Sequence, residues 1–371
     1  MLKKNIIDIL ILFLLIASGC QKTVQFEKEI IFEQNKVNTK SPELVCQISE
    51  ENALIGYIAN FTILNDTTFV VVTGTDAYLY HISGTFLKKF GNRGQAKGEM
   101  ISPTLVYATS DFVYIWCASL LKFLIFDFEA NFIKEISGFN RALKKFVVNP
   151  SNEILYLYTS GYVIHSENKT IDIIYIYNIT EESSRKFAER GPEDQILYSY
   201  RNSSGFYVET DIDIDRLIFL HPGNLIVHDY NLFTDTIVRY KIDDDEFHTT
   251  RIKSGSTDII EDMPKLANYI ANNSIVRDIY KDNGQFVIIS EIGQFDLDER
   301  YQPMKDSKKR KLKLYFLDSF FNPNFTILYD YVESSNYVIH SGYMYFITID
   351  LNNDDQLIFL NRFNLSNLYK S

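Results

Sequence analysis

Short apolar runs that alternate with polar residues fill most of the chain from about Leu44 onward. The runs are rich in aromatic and β-branched residues, and Asn, Asp, Gly or Ser separates them. The clearest runs are Phe69–Val72, Phe112–Trp116, Ile154–Tyr158, Ile173–Tyr177, Arg216–Leu220, Phe286–Ile289 and Tyr343–Ile347. Runs of this length and composition are typical of strands, whereas a helix shows apolar residues every three or four positions. The pattern therefore predicts an all-β protein with many short strands.

One stretch departs from this pattern. Between Asp258 and Asn273 the apolar residues follow a helical spacing, and the stretch begins with acidic residues. Acidic residues favour a helix N-terminus because they complement the helix dipole. We expect one helix here, inserted between two of the units described next.

A repeated unit lies within the strand pattern, and Asp66–Phe90 and Asp111–Ile136 are its clearest copies. Each copy holds three runs joined by tight turns, which we interpret as the inner, middle and outer strands of a propeller blade. Units of about 45 residues fit four-stranded blades. The units start near Phe61, Thr104, Phe146, Gly205, Val276 and Tyr337. We therefore predict a six-bladed β-propeller of four-stranded antiparallel blades over residues 43–371.

Closing such a ring requires a partner for the last blade, because an unpaired edge strand invites aggregation. Two N-terminal runs, Val24–Phe32 and Leu44–Ile48, could complete that blade beside Leu357–Leu360. Both alternatives are open at this stage. The rest of residues 20–42 is polar and charged and is expected to be a tether.

The N-terminus has the pattern of a lipoprotein signal peptide. Lys3 and Lys4 precede the apolar run 9–16, and the sequence then reads Ala17-Ser18-Gly19-Cys20. Small residues before a cysteine form a lipobox, so we predict a signal peptide over residues 1–19 and a lipid on the Cys20 thiol. Asp8 leaves too few apolar residues for a transmembrane helix, which needs about 18. The alternative is an ordinary secretory signal with a chance cysteine, and Asp8 keeps that alternative open.

The predicted location follows from the residues after the cysteine. Gln21 stands directly after Cys20, where an aspartate would signal retention in the inner membrane. The expected location is therefore the outer membrane of a cell envelope, with the leaflet undecided. Several acyl groups on one residue hold a protein at the membrane far more firmly than a single acyl group does.

One segment carries a more specific motif. Phe90-Gly91 is followed by Gly94, then by Gly98-Glu99-Met100, and then by Pro103. This order resembles the inter-blade signature of NHL-type propellers. Together with the lipobox it resembles the TolB-like group of exported six-bladed propeller lipoproteins of Gram-negative bacteria. The resemblance implies a structural role for the motif, in which the glycines adopt backbone angles that side chains forbid.

Charge and cysteine content exclude two features, a nucleic-acid partner and a disulfide framework. The chain has 48 acidic and 37 basic residues and a net charge of −11, which would repel a phosphate backbone, so we expect no nucleic-acid partner. Once Cys20 is lipidated, only Cys46 and Cys117 remain. A disulfide framework is thereby excluded, and two buried free thiols are expected rather than one bridge.

An acidic cluster is the candidate metal site. Alternating residues would share one strand face and place four carboxylates close together, namely Glu209, Asp211, Asp213 and Asp215. Oxygen ligands suit calcium, but an EF-hand loop starting at Asp211 would need Gly and Glu where Arg216 and Pro222 stand. An ordinary acidic strand is the favoured interpretation, and calcium is the weaker one. No other cofactor is expected.

The remaining sequence shows no catalytic motif. The six histidines lack zincin spacing, and no Gly-x-Ser-x-Gly elbow occurs. Two charged runs, Asp243–Glu246 and Lys305–Lys313, are expected to be solvated loops.

These observations favour a non-catalytic module, held at the envelope membrane by its lipid, whose axial face binds a glycan, peptide or protein partner. This hypothesis is based largely on an analogy with other propellers. The alternative is a calcium-assisted hydrolase or lyase similar to propeller lactonases, which predicts carboxylates from several blades converging in the channel. A third hypothesis, a structural subunit of an envelope complex, predicts a broad exposed apolar patch.

Overall fold

A computed structural model of the chain describes residues 23–32, 35–37, 41–49, 57–140, 142–149, 153–159, 171–190, 205–211, 214–249, 262–293, 310–332, 334, 336–350 and 357–366. Three strands precede the first blade: β1 (Thr23–Ile31), β2 (Asn35–Val37) and β3 (Glu43–Gln47). Blade 1 contains β4 (Ile58–Asn65), β5 (Thr68–Thr73), β6 (Ala77–His81) and β7 (Phe86–Phe90). The crossing to the next blade contains β8 (Asn92–Arg93) and β9 (Glu99–Met100).

The next three blades follow in order along the chain. Blade 2 contains β10 (Pro103–Ala108), β11 (Val113–Cys117), β12 (Lys122–Phe126) and β13 (Phe132–Ile136). Blade 3 contains β14 (Leu143–Asn149), β15 (Ile154–Thr159), β16 (Ile171–Asn178) and β17 (Ser183–Arg190). Blade 4 contains β18 (Gly205–Asp211), β19 (Ile214–Leu220), β20 (Ile226–Asn231) and β21 (Thr236–Asp243).

Helix α1 (Met263–Asn272) separates blades 4 and 5. Blade 5 contains β22 (Ile275–Asp282), β23 (Gln285–Ile292), β24 (Lys311–Leu317) and β25 (Pro323–Asp330). Blade 6 contains β26 (Tyr337–His340), β27 (Tyr343–Asp350) and β28 (Leu357–Asn364).

Within every blade the strands pair in chain order, so each blade is an antiparallel meander. The six-bladed fold predicted from the repeats is confirmed. Each predicted unit start lies within three residues of the first residue of an inner strand. One assignment within the repeat was wrong. Phe69–Val72 and its counterpart Val113–Ile115, both predicted to be inner strands, belong to β5 and β11, the second strands of blades 1 and 2. The inner strands have polar positions such as Asn60 and Thr62 because one edge faces the channel, and this weakens their apolar signal.

The N-terminal strand β3 closes the ring. It pairs antiparallel with β28 as the outer strand of blade 6, with Cys46 opposite Leu360. The Ile48 amide donates to the Ile358 carbonyl at 2.8 Å and extends this pairing. A shared apolar cluster then joins blades 6 and 1, since it holds residues of β3, β4, β5, β27 and β28. Of the two predicted closing strands, the second is therefore the one that closes the ring.

The segment expected to be a tether is partly structured. Strand β1 pairs in parallel with β21 as a fifth strand of blade 4, and β2 pairs in parallel with β25 as a fifth strand of blade 5. Residues 35–37, expected to be part of a tether, thus belong to the propeller rim. The run Val24–Phe32 does form a strand, but it pairs with blade 4 and not with the last blade. The physical reason is that the outer strands of blades 4 and 5 offer unpaired edges, which the N-terminal segment covers.

The predicted helix is present, and it lies between blades as expected. Asp262 caps its N-terminus by accepting a hydrogen bond from the Lys265 amide at 3.2 Å. In the described part of the chain, no helix is long and apolar enough to cross a membrane.

Cys46 and Cys117 are buried free thiols, as predicted. Burial raises the pKa of the Cys46 thiol to about 11 and that of the Cys117 thiol to about 12. Both thiols are therefore protonated and unreactive at neutral pH.

Gly84 tests the closure directly, because a Cβ at this position would overlap the Gln47 carbonyl of β3. Gly84 and Gly138 have similar positive φ angles, 88° and 92°, but a Cβ on Gly138 would meet nothing within 4 Å. We expect Gly138→Ala to cost about 1–2 kcal/mol from the backbone angle alone. Gly84→Ala should cost roughly 1–3 kcal/mol more, by overpacking. Urea unfolding of both variants measures the difference, and equal losses would contradict the closure.

Candidate functional site: the central channel

The two faces of the propeller carry different connections. In each meander the turns between the first and second strands and between the third and fourth strands lie on one face, here called the turn face; residues 66–67, 232–235 and 318–322 are examples. The opposite face, here called the crossing face, carries the connections between blades, such as residues 91–102. Every inner strand begins at the crossing face.

The inner strands enclose a central channel of about 280 Å³. Residues of β4, β10, β14, β22 and β26 line it, together with Asn336. The side chains of β18, the inner strand of blade 4, lie outside the described residues. The described lining combines aromatic and cationic groups: Tyr107, Tyr280, Tyr337, Lys144, Lys145, Arg277 and Lys281.

Four inner strands contain a β-bulge close to the crossing face. The register shifts past Ala59 in β4, Thr104 in β10, Lys144 in β14 and Arg277 in β22. A bulge re-aims a side chain, and bulges are common beside binding sites. Two of the four bulged residues are cations that line the channel. We call this end, formed by Ala59, Lys144, Arg277 and Asn336, the channel mouth.

An ion pair crosses the channel beside the mouth. The Lys145 ammonium group donates to an Asp278 carboxylate oxygen, and so links blade 3 to blade 5 past blade 4. Burial raises the pKa of Asp278, and the Lys145 charge partly offsets this effect. Lys145 also lies 5.5 Å from the centre of the Tyr280 ring, within cation–π range.

A second buried charge cluster supports Arg277 from behind. The Nε atom of Arg277 lies 3.3 Å from the Glu291 carboxylate, and Glu291 also pairs with Arg310 at 3.0 Å. Arg310 donates to the Asn273 carbonyl at 2.9 Å and thereby ties the end of α1 to blade 5. Burial lowers the pKa of Arg277, but Glu291 and other nearby groups outweigh it and the net pKa is raised.

The channel tyrosines are protonated at neutral pH. Burial and the nearby Asp278 charge raise the pKa of Tyr107 to about 12. Burial and Asp278 also raise the pKa of Tyr280 well above its usual value, and its hydroxyl donates to the Tyr337 carbonyl. The rings therefore offer apolar faces beside the cations. Lys144 lines the same channel, and burial lowers the pKa of its ammonium group.

The acidic cluster does not lie on one strand, and this part of the prediction was wrong. Strands β18 and β19 pair antiparallel with Asp211 opposite Ile214, so Glu209 and Asp211 are on β18 whereas Asp215 is on β19, opposite Thr210. Alternation in sequence cannot distinguish one long strand from a tight hairpin. Asp213 and the side chains of the other three lie outside the described residues, so the calcium prediction stays a prediction.

Among the described residues, no group of three or more His, Cys, Asp or Glu side chains could hold a metal ion. The lactonase-like alternative expected carboxylates from several blades in the channel. The described lining contains one, Asp278.

The glycine motif forms the crossing from blade 1 to blade 2. Gly91, Gly94 and Gly98 all have positive φ angles. A Cβ on Gly91 would lie 2.9 Å from the Gly98 carbonyl, so the turn requires a glycine there. Glu99 accepts a hydrogen bond from the Ala96 amide at 3.0 Å within this crossing, and Pro103 begins β10.

The two charged runs meet at one buried contact, and this corrects the expectation of a solvated loop for Lys313 and Asp244. The rest of the acidic run, Asp243, Asp245 and Glu246, is exposed as expected. Lys313 is buried on β24 and lies 2.8 Å from Asp244 and 2.5 Å from Glu246. Arg310, from the same basic run, is buried as well. The pairing of Lys313 with Asp244 across the boundary between blades 4 and 5 explains the burial of Lys313, and the pairing of Arg310 with Glu291 of blade 5 explains that of Arg310.

The lipobox residues Ala17, Ser18 and Gly19 and the predicted lipid site Cys20 lie outside the described residues. The channel residues were missed in the sequence. Their signal is the placement of charged pairs, Lys144-Lys145 and Arg277-Asp278, near the start of the inner strands β14 and β22.

The fold and channel define a six-bladed β-propeller. No protein-family model matches the chain, and no curated protein matches it. Among solved structures it is similar to a member of the DUF4221 family from Bacteroides vulgatus ATCC 8482, with a TM-score of 0.62 and 10% identity over 88% of this chain and 98% of that one. It is also similar to a "Putative exported protein" from Bacteroides fragilis NCTC 9343, with a TM-score of 0.57 and 11% identity over 91% and 99% of the two chains. At these identities the similarity shows the fold alone.

The ion pair across the channel gives a stability prediction. Lys145→Met leaves the buried Asp278 carboxylate without this partner, and we expect a loss of about 3 kcal/mol in the free energy of unfolding. The double variant Lys145→Met/Asp278→Asn should regain more than half of that loss. The control is Lys241→Met, which breaks an exposed pair with Glu29 and should cost less than about 1 kcal/mol. Urea unfolding measures all three, and a Lys145→Met loss no larger than the control's would contradict a structural pair.

Proposed function

We propose that this protein is a non-catalytic binding module of the cell envelope, anchored to the membrane by a lipid on Cys20. Its ligand is a segment of a glycan, peptide or protein that enters the channel mouth at the crossing face. The glycine motif and the lipobox support placing the chain with the TolB-like, NHL-like propellers of the outer membrane.

The observation that carries the proposal is the bulged mouth of the channel. Bulges in four blades turn residues out of the regular strand pattern at one level, and two of these residues are the cations Lys144 and Arg277. Charged side chains are costly to hold in a narrow channel, so their placement there favours a binding role. Rigid strands hold them, and this limits the entropy lost on binding.

The chemistry of the lining favours a ligand with a negatively charged group. The described lining has four cations, Lys144, Lys145, Arg277 and Lys281, and one carboxylate, Asp278. With the Glu291 carboxylate that pairs with Arg277 from behind, two negative charges face four positive ones. Charge-assisted hydrogen bonds to a carboxylate, beside tyrosine rings that stack on an apolar face, would suit a uronic-acid sugar or an acidic peptide. The volume of about 280 Å³ fits one sugar unit or a few side-chain atoms rather than a folded domain.

The envelope location rests on the sequence and on the relatives. The lipobox supports export and acylation. The Bacteroides fragilis protein with the same fold carries a name that points to export, which supports the same location here.

Binding can be tested by calorimetric titration with oligogalacturonates, neutral oligosaccharides of the same length, and acidic peptides. We expect one of the acidic probes to bind and its neutral counterpart to bind at least tenfold more weakly. Lys144→Gln should weaken binding of the acidic probe about tenfold, the equivalent of 1.4 kcal/mol. Lys134→Gln, an exposed lysine on the outer strand β13, is the matched control and should bind like the wild type. Silence with every acidic probe, or unchanged binding by Lys144→Gln, would refute a cationic mouth.

Acylation can be tested by counting thiols in the protein purified from membranes. Because the Cys46 and Cys117 thiols are buried, with pKa values of about 11 and 12, neither should react with an aromatic disulfide reagent at pH 8 in the folded protein. We expect no reactive thiol before unfolding and two after unfolding in urea. A reactive thiol in the folded protein and three after unfolding would show that Cys20 is free.

A further inference from the structure

The exposed large apolar side chains are unevenly distributed between the two faces. Among the described residues, six lie on turns or strand ends at the turn face: Leu44, Leu87, Phe112, Ile133, Phe233 and Phe320. Two lie at the crossing face, Ile31 and Tyr57. Phe320 and Phe233 are the most exposed of all, at 78% and 67%. Most of these side chains stand on separate blades, whereas Phe233 and Phe320 stand on the neighbouring blades 4 and 5 and are the candidates for a continuous apolar patch.

The two phenylalanines stand at the tips of well-defined turns in neighbouring blades. In blade 4 the Asn231 side chain accepts from the Phe233 and Thr234 amides, both at 2.9 Å. In blade 5 the Asp318 side chain accepts from the Phe320 amide at 2.8 Å. These hydrogen bonds fix the turns, so each ring is presented to solvent by a rigid support rather than by a loose loop.

A contact between the blades brings the two turns together. Arg216 stands opposite Asn231 in the strand register of blade 4. Its guanidinium group donates to the Ser319 carbonyl at 3.3 Å and lies 5.3 Å from the centre of the Phe321 ring in the turn of blade 5. Phe233 and Phe320 therefore belong to one region of the turn face, which we call the aromatic edge.

The first described strand, β1, starts beside the aromatic edge. In the parallel pairing of β1 with β21, Thr23 lies opposite Thr236, the first residue after the turn that carries Phe233. Cys20 precedes Thr23 by three residues. Three residues span at most about 11 Å when fully extended. A lipid on Cys20 therefore has to leave the protein at the turn face, close to this turn.

We propose that the turn face of blades 4 and 5 rests on the lipid bilayer that holds the Cys20 acyl chains, with Phe233 and Phe320 inserted at its interface. The inference rests on the lipid anchor of the proposed function. It places the channel mouth on the side away from the membrane, where a ligand can reach it. Phenylalanine side chains are well suited to the boundary between headgroups and acyl chains.

The short tether and the charge favour a bilayer over a protein partner as the occupant. With about 11 Å of reach, the rim of blade 4 cannot move far from the membrane surface. A net charge of −11 gives no general attraction to anionic lipid, so contact has to come from apolar insertion near the anchor.

Depth-dependent fluorescence quenching tests the orientation. The mature, acylated protein is reconstituted into vesicles of phosphatidylethanolamine and phosphatidylglycerol with and without brominated acyl chains. Phe233→Trp and Phe320→Trp report on the aromatic edge, and Tyr57→Trp, an exposed position at the crossing face, is the matched control. The native Trp116 is buried and supplies a constant background. We expect at least twofold quenching of the added signal in the first two variants and none in the control.

The outcomes separate the two proposals. The mass of the N-terminal peptide shows whether Cys20 is acylated, and an unmodified cysteine would refute the anchor and with it this orientation. An acylated protein without quenching at Phe233→Trp and Phe320→Trp, or with equal quenching at Tyr57→Trp, would overturn the orientation alone. Shielding of the two variants from iodide in native membranes but not in pure lipid vesicles would assign the aromatic edge to a protein partner and likewise overturn it.

Discussion

The pairing of β3 with β28 is the contact on which the rest of the structure depends. A propeller made of a single continuous chain has a seam, and here the seam is closed by a strand from the N-terminus beside strands from the C-terminus. Closure fixes the radius of the ring and so the width of the channel. It also fixes where the N-terminal segment must run, because residues before Glu43 have to follow the rim of blades 5 and 4 to reach their positions on β2 and β1.

The direction of the N-terminal segment decides on which face it begins relative to the channel mouth. Strand β1 runs in parallel with β21, so the N-terminal end of β1 lies at the turn face, while every inner strand begins at the opposite face. The bulged residues Lys144 and Arg277 therefore lie at the far end of the axis from Thr23, the first residue of β1, which follows the predicted lipid site by three residues. Separation of anchor and mouth is a consequence of strand direction in the meander, and no additional device is needed. In our account the rigid blades act as a spacer that presents the mouth away from the membrane.

The sequence was sufficient to predict the blades of the propeller but not the residues that line its channel. Middle strands such as β5 and β11 are apolar on both faces because both pack against neighbouring blades, so their signal is strong. The inner strands carry mixed residues, and the importance of Lys145 and Asp278 appears only when β14 and β22 face each other across the channel. The expectation that the acidic and basic runs are solvated was wrong for Lys313 and Asp244 for the same reason, because these two residues are far apart in sequence. Local patterns report burial within a strand but not which charges meet between blades.

Hydrogen–deuterium exchange of the full-length protein is the most direct test of the central claim, that the N-terminal segment is part of the ring. The peptide covering residues 41–49 should be protected like the outer strands of the other blades, because the Ile48 amide donates to the Ile358 carbonyl and β3 pairs with β28. The peptide covering β1 should show protection of the same order, since it pairs with β21 at the edge of blade 4. Exchange of residues 41–49 within seconds, as in an unpaired tail, would contradict the closure and with it the placement of the anchor at the turn face.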